Sequence, residues 1–142
     1  MADQTERTDR EDGPGRRLLV IERAYRGALE TQFADVLYLA RELNRQLGGV
    51  DVLLRGLAVT FAAADTRPAP SVRVGHDTLD TLPSPRDSVR SLLEHGAGVY
   101  VDAADLAHFE AGPGWLQPGV RRAGGPDAPG PDWSAYRDVF FV

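Results

Sequence analysis

Apolar positions along this chain fall into alternating strand-like and helix-like stretches. Arg17 to Glu22 (Arg-Leu-Leu-Val-Ile-Glu) is a short unbroken apolar run, the pattern of a strand covered on both faces in a parallel sheet. After a turn at Arg26 and Gly27, apolar residues fall at Leu29, Phe33, Val36, Ala40, Leu43 and Leu47. This spacing predicts one face of a helix, stopped by Gly48 and Gly49. Val50 to Leu54 restarts a strand at once, so the first three elements read as a βαβ unit with a right-handed crossover. Leu57 to Ala63 stays apolar, either as a second short strand or as the opening of a helix, and periodicity leaves both open. Asp65 to Pro83 turns polar and proline-bearing, which reads as a loop with a small strand at Ser71 to Val74.

Ser84-Pro85-Arg86-Asp87 is a helix start: a serine N-cap, proline in the first position and an acidic residue three after the cap. Val89, Leu92 and Leu93 supply its buried face and Gly96 its stop. Gly98 to Val101 predicts a third parallel strand. Asp102-Ala-Ala-Asp105 then caps a short helix with Leu106 and Phe109 inward. The segment 111–132, with Trp115 and Leu116, is too rich in Gly and Pro to hold long regular structure. Asp138 to Val142 is β-prone and apolar, a last strand expected to be buried in the sheet or under a neighbouring subunit. Residues 1–16 alternate Arg, Asp and Glu without apolar periodicity and read as a disordered tail, leaving one α/β domain over 17–142.

Composition narrows the chemistry. All 16 basic residues are arginine and there is no cysteine among the 142 residues. Schiff-base formation, a phosphate-loop lysine, a cysteine nucleophile and a zinc-thiolate cluster are therefore excluded. A net charge of -5 argues against nucleic acid as a partner. No apolar run is long enough for a membrane span and no signal-peptide pattern opens the chain, so a cytoplasmic protein is expected. No dinucleotide fingerprint, nucleophile elbow or His-Glu-x-x-His motif is present.

The candidate site lies where open parallel sheets place ligands, at the carboxyl ends of the strands. Asp102 ends one strand and opens a helix; an N-cap explains it, and so does a hydrogen-bond acceptor or weak base for a ligand. Asp105 reads as part of the same capping pattern. Glu22, Arg23 and Tyr25 follow the first strand and should emerge at the same edge, offering a base, a cation and a phenol to a small polar ligand. His76, beside Asp77 in the polar loop, is either a solvated histidine or a general base. His95 suits a helix C-terminus. His108 shares a spacing with Asp102 and Asp105 that does not put all three on one helix face, so no metal site is expected. Trp115, with Trp133 and Tyr136 after it, reads as a packing or interface anchor or as part of a lid.

The order of these elements resembles the DsrE-like family. The resemblance rests on Val89 to Val120: a leucine-bearing helix ending Leu-Leu-Glu-His-Gly, then Gly-Val-Tyr-Val-Asp, then Leu-Gln-Pro-Gly-Val. It implies a small flavodoxin-like fold, a mostly parallel sheet with helices on both faces, and assembly into homo-oligomeric trimers or hexamers. It also implies persulfide handling by a cysteine just after the Val-x-Val strand, and here that position holds Asp102 to Asp105 with no cysteine. The resulting expectation is a non-catalytic oligomeric subunit or partner. The alternatives are a small-metabolite-binding protein or enzyme at the strand edge, with no resident cofactor, and a regulatory or scaffold protein using the arginine-rich tail and the Gly/Pro loop.

Overall fold

The structure is a computed structural model that describes residues 15–24, 35–64, 71–82, 84–109, 112, 114–125 and 130–142. Its centre is a five-stranded parallel sheet in the order β6-β5-β2-β1-β7. The strands are β1 (Arg17–Ile21), β2 (Val50–Leu54), β5 (Val99–Asp102), β6 (Arg121–Ala123) and β7 (Asp138–Phe141). A separate antiparallel hairpin, β3 (Val72–Val74) with β4 (Asp77–Leu79), occupies part of the polar loop. Helices α1 (Val36–Leu47), α2 (Pro85–Glu94) and α3 (Ala103–Ala107) join the strands. The undecided apolar run is a 3-10 helix, Gly56–Ala62.

Alternation along the strands builds two clusters. Leu19, Ile21, Val50, Val52, Leu54, Val99 and Val101 face α1, α2, α3 and the 3-10 helix, meeting Leu37, Ala40, Val89, Leu92, Leu106 and Val59. Leu18, Val20, Leu53 and Ala123 point to the other face, where Tyr100, Tyr136 and Val139 cover them. Helices on both faces are the expectation; among the described residues α1, α2, α3 and the 3-10 helix Gly56–Ala62 pack on the first face, and a short 3-10 turn, Trp133–Ala135, leads into Tyr136, which packs on the second. No described helix is long and apolar enough to cross a membrane.

The stop at Gly48 and the start at Ser84 act as read, whereas α1 begins at Val36, inside the face predicted from Leu29, because Asp35 is extended and caps it. Asp35 caps α1 by accepting from Leu37 and Tyr38 N–H groups at 3.0 and 3.1 Å. Gly48, at a φ of 68° that side-chain-bearing residues rarely adopt, ends it. The expected helix positions Leu29 and Phe33 lie outside the described residues, and Leu47, expected inward, is exposed. Ser84 caps α2 with Pro85 in its first turn. Because α3 stops at Ala107, Phe109 does not complete an inward turn and stays exposed while Leu106 is buried.

Three further features depart from the pattern. Arg121–Ala123 forms edge strand β6 within the Gly/Pro-rich segment, paired to β5, although it carries no apolar alternation. The last strand joins the sheet beside β1, yet Phe140 and Phe141 remain exposed. The third is Asp51, buried near the amino end of the otherwise apolar strand β2. Its carboxylate accepts from Arg16 through both Nε and Nη2, from the Tyr136 hydroxyl at 2.7 Å and from the Gly98 N–H at 2.8 Å. Arg16, read as part of the tail, is thus held to the sheet, so order begins before Arg17; residues 1–14 lie outside the described residues.

Nearby, buried Asn44 accepts from the Val50 N–H and donates to the His95 carbonyl, tying the ends of α1 and α2 to the start of β2.

Two variants test the Asp51 network. A Cβ at Gly98 would stand 2.8 Å from Asp51 Oδ1, so Gly98→Ala is expected to cost about 1–3 kcal/mol of unfolding free energy in urea titration. Tyr136→Phe should cost about 2 kcal/mol, the range for a hydrogen bond to a charged group. Burial first, and then its bond to Asp51, push the Tyr136 phenol above its usual range. Above pH 10 the unfolded phenol loses its proton and the folded one keeps it, so wild-type stability should fall with rising pH. Tyr136→Phe should show a shallower alkaline decline in the same titration.

Candidate functional site

The parallel register brings the carboxyl ends of β1, β2 and β5 to one edge, with β2 between the others. Glu22, Arg23 and Asp102 therefore emerge on the side predicted for them; Tyr25 lies outside the described residues.

Asp102 and Asp105 are both engaged with backbone. Asp102 Oδ1 accepts from the Asp105 N–H at 2.9 Å, which caps α3. Asp105 does not complete a reciprocal box with Asp102. Its Oδ2 instead accepts from the Gly56 N–H at 2.7 Å. Gly56 opens a 3-10 helix whose own preceding residue, Arg55, supplies no side-chain cap. Asp105 thus caps, from across the edge, a helix start that is far away in sequence, and so bridges the exits of β2 and β5.

The β1–β2 side carries charge and an aromatic ring. Arg55 Nη1 stands 3.5 Å from Glu22 Oε1, and both side chains are partly exposed. The Arg55 guanidinium carbon also lies 6.0 Å from the centroid of Trp133, within the range of a cation–π contact. Trp133 in turn meets Phe141 edge to face at 5.7 Å. Arg23 is exposed. Periodicity could not associate Arg55 with Trp133, since their contact needs β7 to lie beside β1. Arg55 nevertheless carried a local signal, being a charge immediately past a buried strand at the carboxyl edge of the sheet.

The remaining candidates lie elsewhere. His76 is exposed at the turn of the β3–β4 hairpin, outside the main sheet, and no described hydrogen bond or ion pair joins it to Glu22 or Asp102. Trp115 is half-buried against the main core, beside the 3-10 helix, and its carbonyl accepts from the Ala64 N–H at 2.7 Å. Its geometry is that of a packing anchor. Gln117 next to it is buried and donates to the Arg86 carbonyl at 3.2 Å, fastening the Leu-Gln-Pro-Gly-Val segment to α2. His95 Nδ1 is 2.7 Å from the Ser91 carbonyl at the end of α2, a capping role. His108 is exposed at the C-cap of α3. Among the described residues no three His, Asp or Glu side chains gather as a metal site.

The most informative polar residue, Asp51, was not among the sequence candidates. It sits at the amino end of its strand, opposite the carboxyl edge that holds the candidate residues, and all its partners precede or begin neighbouring strands. A charged residue within a run otherwise fit for a doubly covered strand was the available signal.

No protein-family model matches the chain, and no curated protein matches it in sequence. Among solved structures it is similar to the crystal structure of the ychN protein from E. coli, with a TM-score of 0.63. The alignment has 14% sequence identity and covers 90% of this chain and 99% of that one. At this identity the likeness establishes the fold, a mostly parallel α/β sheet.

The two aspartates should separate on substitution. Asp102→Asn keeps a good N-cap and is expected to change unfolding free energy by no more than about 0.3 kcal/mol, whereas Asp102→Ala should cost about 1 kcal/mol. Asp105→Ala should also cost about 1 kcal/mol, and hydrogen exchange should quicken at the Gly56 amide. Equal effects of Asn and Ala at position 102 would show that capping is not its role.

Proposed function

We propose that this chain is a non-catalytic subunit of an oligomer built on the DsrE-like fold. The observation that carries the reading is the occupancy of the turn after β5. Where the resemblance calls for a persulfide cysteine, the chain has Asp102-Ala-Ala-Asp105, and both carboxylates are bonded to backbone N–H groups. Persulfide transfer needs a thiolate, and no position in the chain supplies one. What this turn does hold is structural: the cap of α3 and the bridge to the 3-10 helix.

Exposed large apolar side chains support the oligomeric half of the reading. Tyr38 and Leu39 on α1, Leu57 on the 3-10 helix, and Phe140 and Phe141 on β7 are open to solvent in the single chain. Burial against neighbouring copies would remove that surface from water. By resemblance, the assembly is a homotrimer or homohexamer.

A second reading is favoured by Arg55. A guanidinium set between Glu22 and the face of Trp133 offers a cation and an aromatic wall to a small molecule that bears both a carboxylate and a planar group. In that reading the chain is a metabolite-binding protein, and Arg23 borders the same edge.

Native mass spectrometry of protein purified under mild conditions separates the two. The first reading expects a trimer or hexamer at the bare polypeptide mass, with the stoichiometry unchanged by Asp102→Asn. A reproducible added mass per subunit, lost in Arg55→Ala, would replace it with the second.

A further inference from the structure

The main sheet ends in two edges, and they are built differently. An edge strand offers unpaired N–H and C=O groups to any other strand, and proteins blunt such edges with short length or charge. β6 is blunted: it is three residues long and presents Arg121 and Arg122 to solvent. β7 is not. Its one charge, Asp138, is compensated by Arg17 at 3.3 Å and Arg137 at 3.7 Å. Phe140, Phe141 and Val142 are 47%, 62% and 40% exposed. Trp133, against Phe141, extends the apolar surface.

From this we propose that β7 is a self-pairing strand. It adds antiparallel to β7 of a second copy across a two-fold axis perpendicular to the sheet, so that two sheets become one. The proposal rests on the oligomeric reading above and assigns its contact surface.

The backbone sets the register. The Val142 N–H donates to the Val20 carbonyl at 3.1 Å. By strand alternation, Phe140 and Val142 turn their polar backbone groups toward β1, which leaves those of Val139 and Phe141 at the outer edge. A perpendicular two-fold keeps each sheet face on its own side, so opposed residues must come from the same face. Val139 and Phe141 share the face of Leu18 and Val20, and Phe140 lies on the other.

Centring the axis on Phe140 meets both conditions. Val139 then exchanges hydrogen bonds with the partner subunit's Phe141, and Phe141 with the partner subunit's Val139. Phe140 faces its own counterpart as a non-hydrogen-bonded pair, the closer kind, with Cα atoms about 4.5 Å apart. Aromatic and β-branched pairs of this sort stabilise antiparallel strands.

A second copy is the occupant that fits. The seam needs an apolar strand without uncompensated charge, and β7 is itself such a strand, with Asp138 already neutralised within its own chain. Residues 3–12 are all polar or charged, and residues 1–14 offer no such apolar run. A two-fold contact joins copies in pairs and so also serves a hexamer made of three pairs.

The absence of native cysteine makes the test direct, because a single introduced thiol has no competitor. Phe140→Cys, reduced and then mildly oxidised, should give a disulfide-linked dimer on a non-reducing gel. The expected Cα separation lies within the range that a disulfide spans, about 4.4–6.8 Å. Arg122→Cys on the β6 edge should stay unlinked under the same conditions. Phe141→Arg, which places charge in the seam, should reduce the wild-type assembly to smaller species in native mass spectrometry while circular dichroism stays native. A wild-type oligomer whose Phe140→Cys form does not cross-link, or cross-links no better than Arg122→Cys, overturns the β7 seam and leaves the oligomeric subunit standing. A monomeric wild type overturns both.

Discussion

A carboxylate that leaves water must replace the hydrogen bonds it gave up, and Asp51 does so by drawing four strands together at one end of the sheet. Arg16 enters from the residue before β1, Gly98 from the residue before β5, and Tyr136 from the approach to β7, while Asp51 itself lies on β2. None of these groups is near another in sequence. The bond to Arg16 raises the guanidinium above its already high ordinary range, and burial with the Asp51 bond raises the Tyr136 phenol, so both groups keep their protons while the network holds. Removing one partner would leave a buried charge short of donors, whereas an apolar residue at position 51 would ask nothing of its neighbours. The carboxylate is therefore better understood as fixing which strands start together than as a large net source of stability.

The pinning of that end has consequences at the other. Strands aligned at their amino ends deliver Glu22, Arg55 and Asp102 to a common edge, where short polar contacts organise the surface. Asp105 shows the logic: its carboxylate reaches across to cap the 3-10 helix, so the gap between the exits of β2 and β5 is closed by a structural bond. At the turn after β5 each of the two carboxylates gives one oxygen to a backbone amide. What remains open is the β1–β2–β7 side, with the Arg55 cation, the Trp133 ring and the unprotected strand edge beside them.

Tyr136 connects the two themes. By bonding to Asp51 it fixes the approach to β7, and with it the register in which Val139 joins the Leu18 and Val20 cluster while Phe140 and Phe141 face outward. The same fastening that makes β7 part of the sheet leaves its apolar side chains uncovered. A strand held this firmly yet this exposed is consistent with burial by something beyond the single chain, which is the role an oligomer would give it.

Local chemistry made most of the element order readable from the residues alone. Unbroken apolar runs at Leu18–Ile21 and Val50–Leu54, the caps at Ser84 and Asp102 and the stop at Gly48 act over a few residues, so the sequence determined β1, β2, α2, β5 and the starts and stops between them. The same holds for the exclusion of thiol and lysine chemistry, which needs no coordinates. Strand β6 escaped because an edge strand carrying two arginines has no alternation to detect. Asp51, Arg16 and Tyr136 escaped as a set because a buried charge reveals its partners only when distant segments are already adjacent. Tertiary structure alone decided that Asp105 caps a helix start 49 residues away, that Arg55 meets Trp133, and that β7 lies beside β1 with its phenylalanines exposed. Each of these depends on the order of strands in the sheet, and that order is set by long-range packing and by the hydrogen-bonding demands of one buried carboxylate, neither of which is written in any local stretch of the chain.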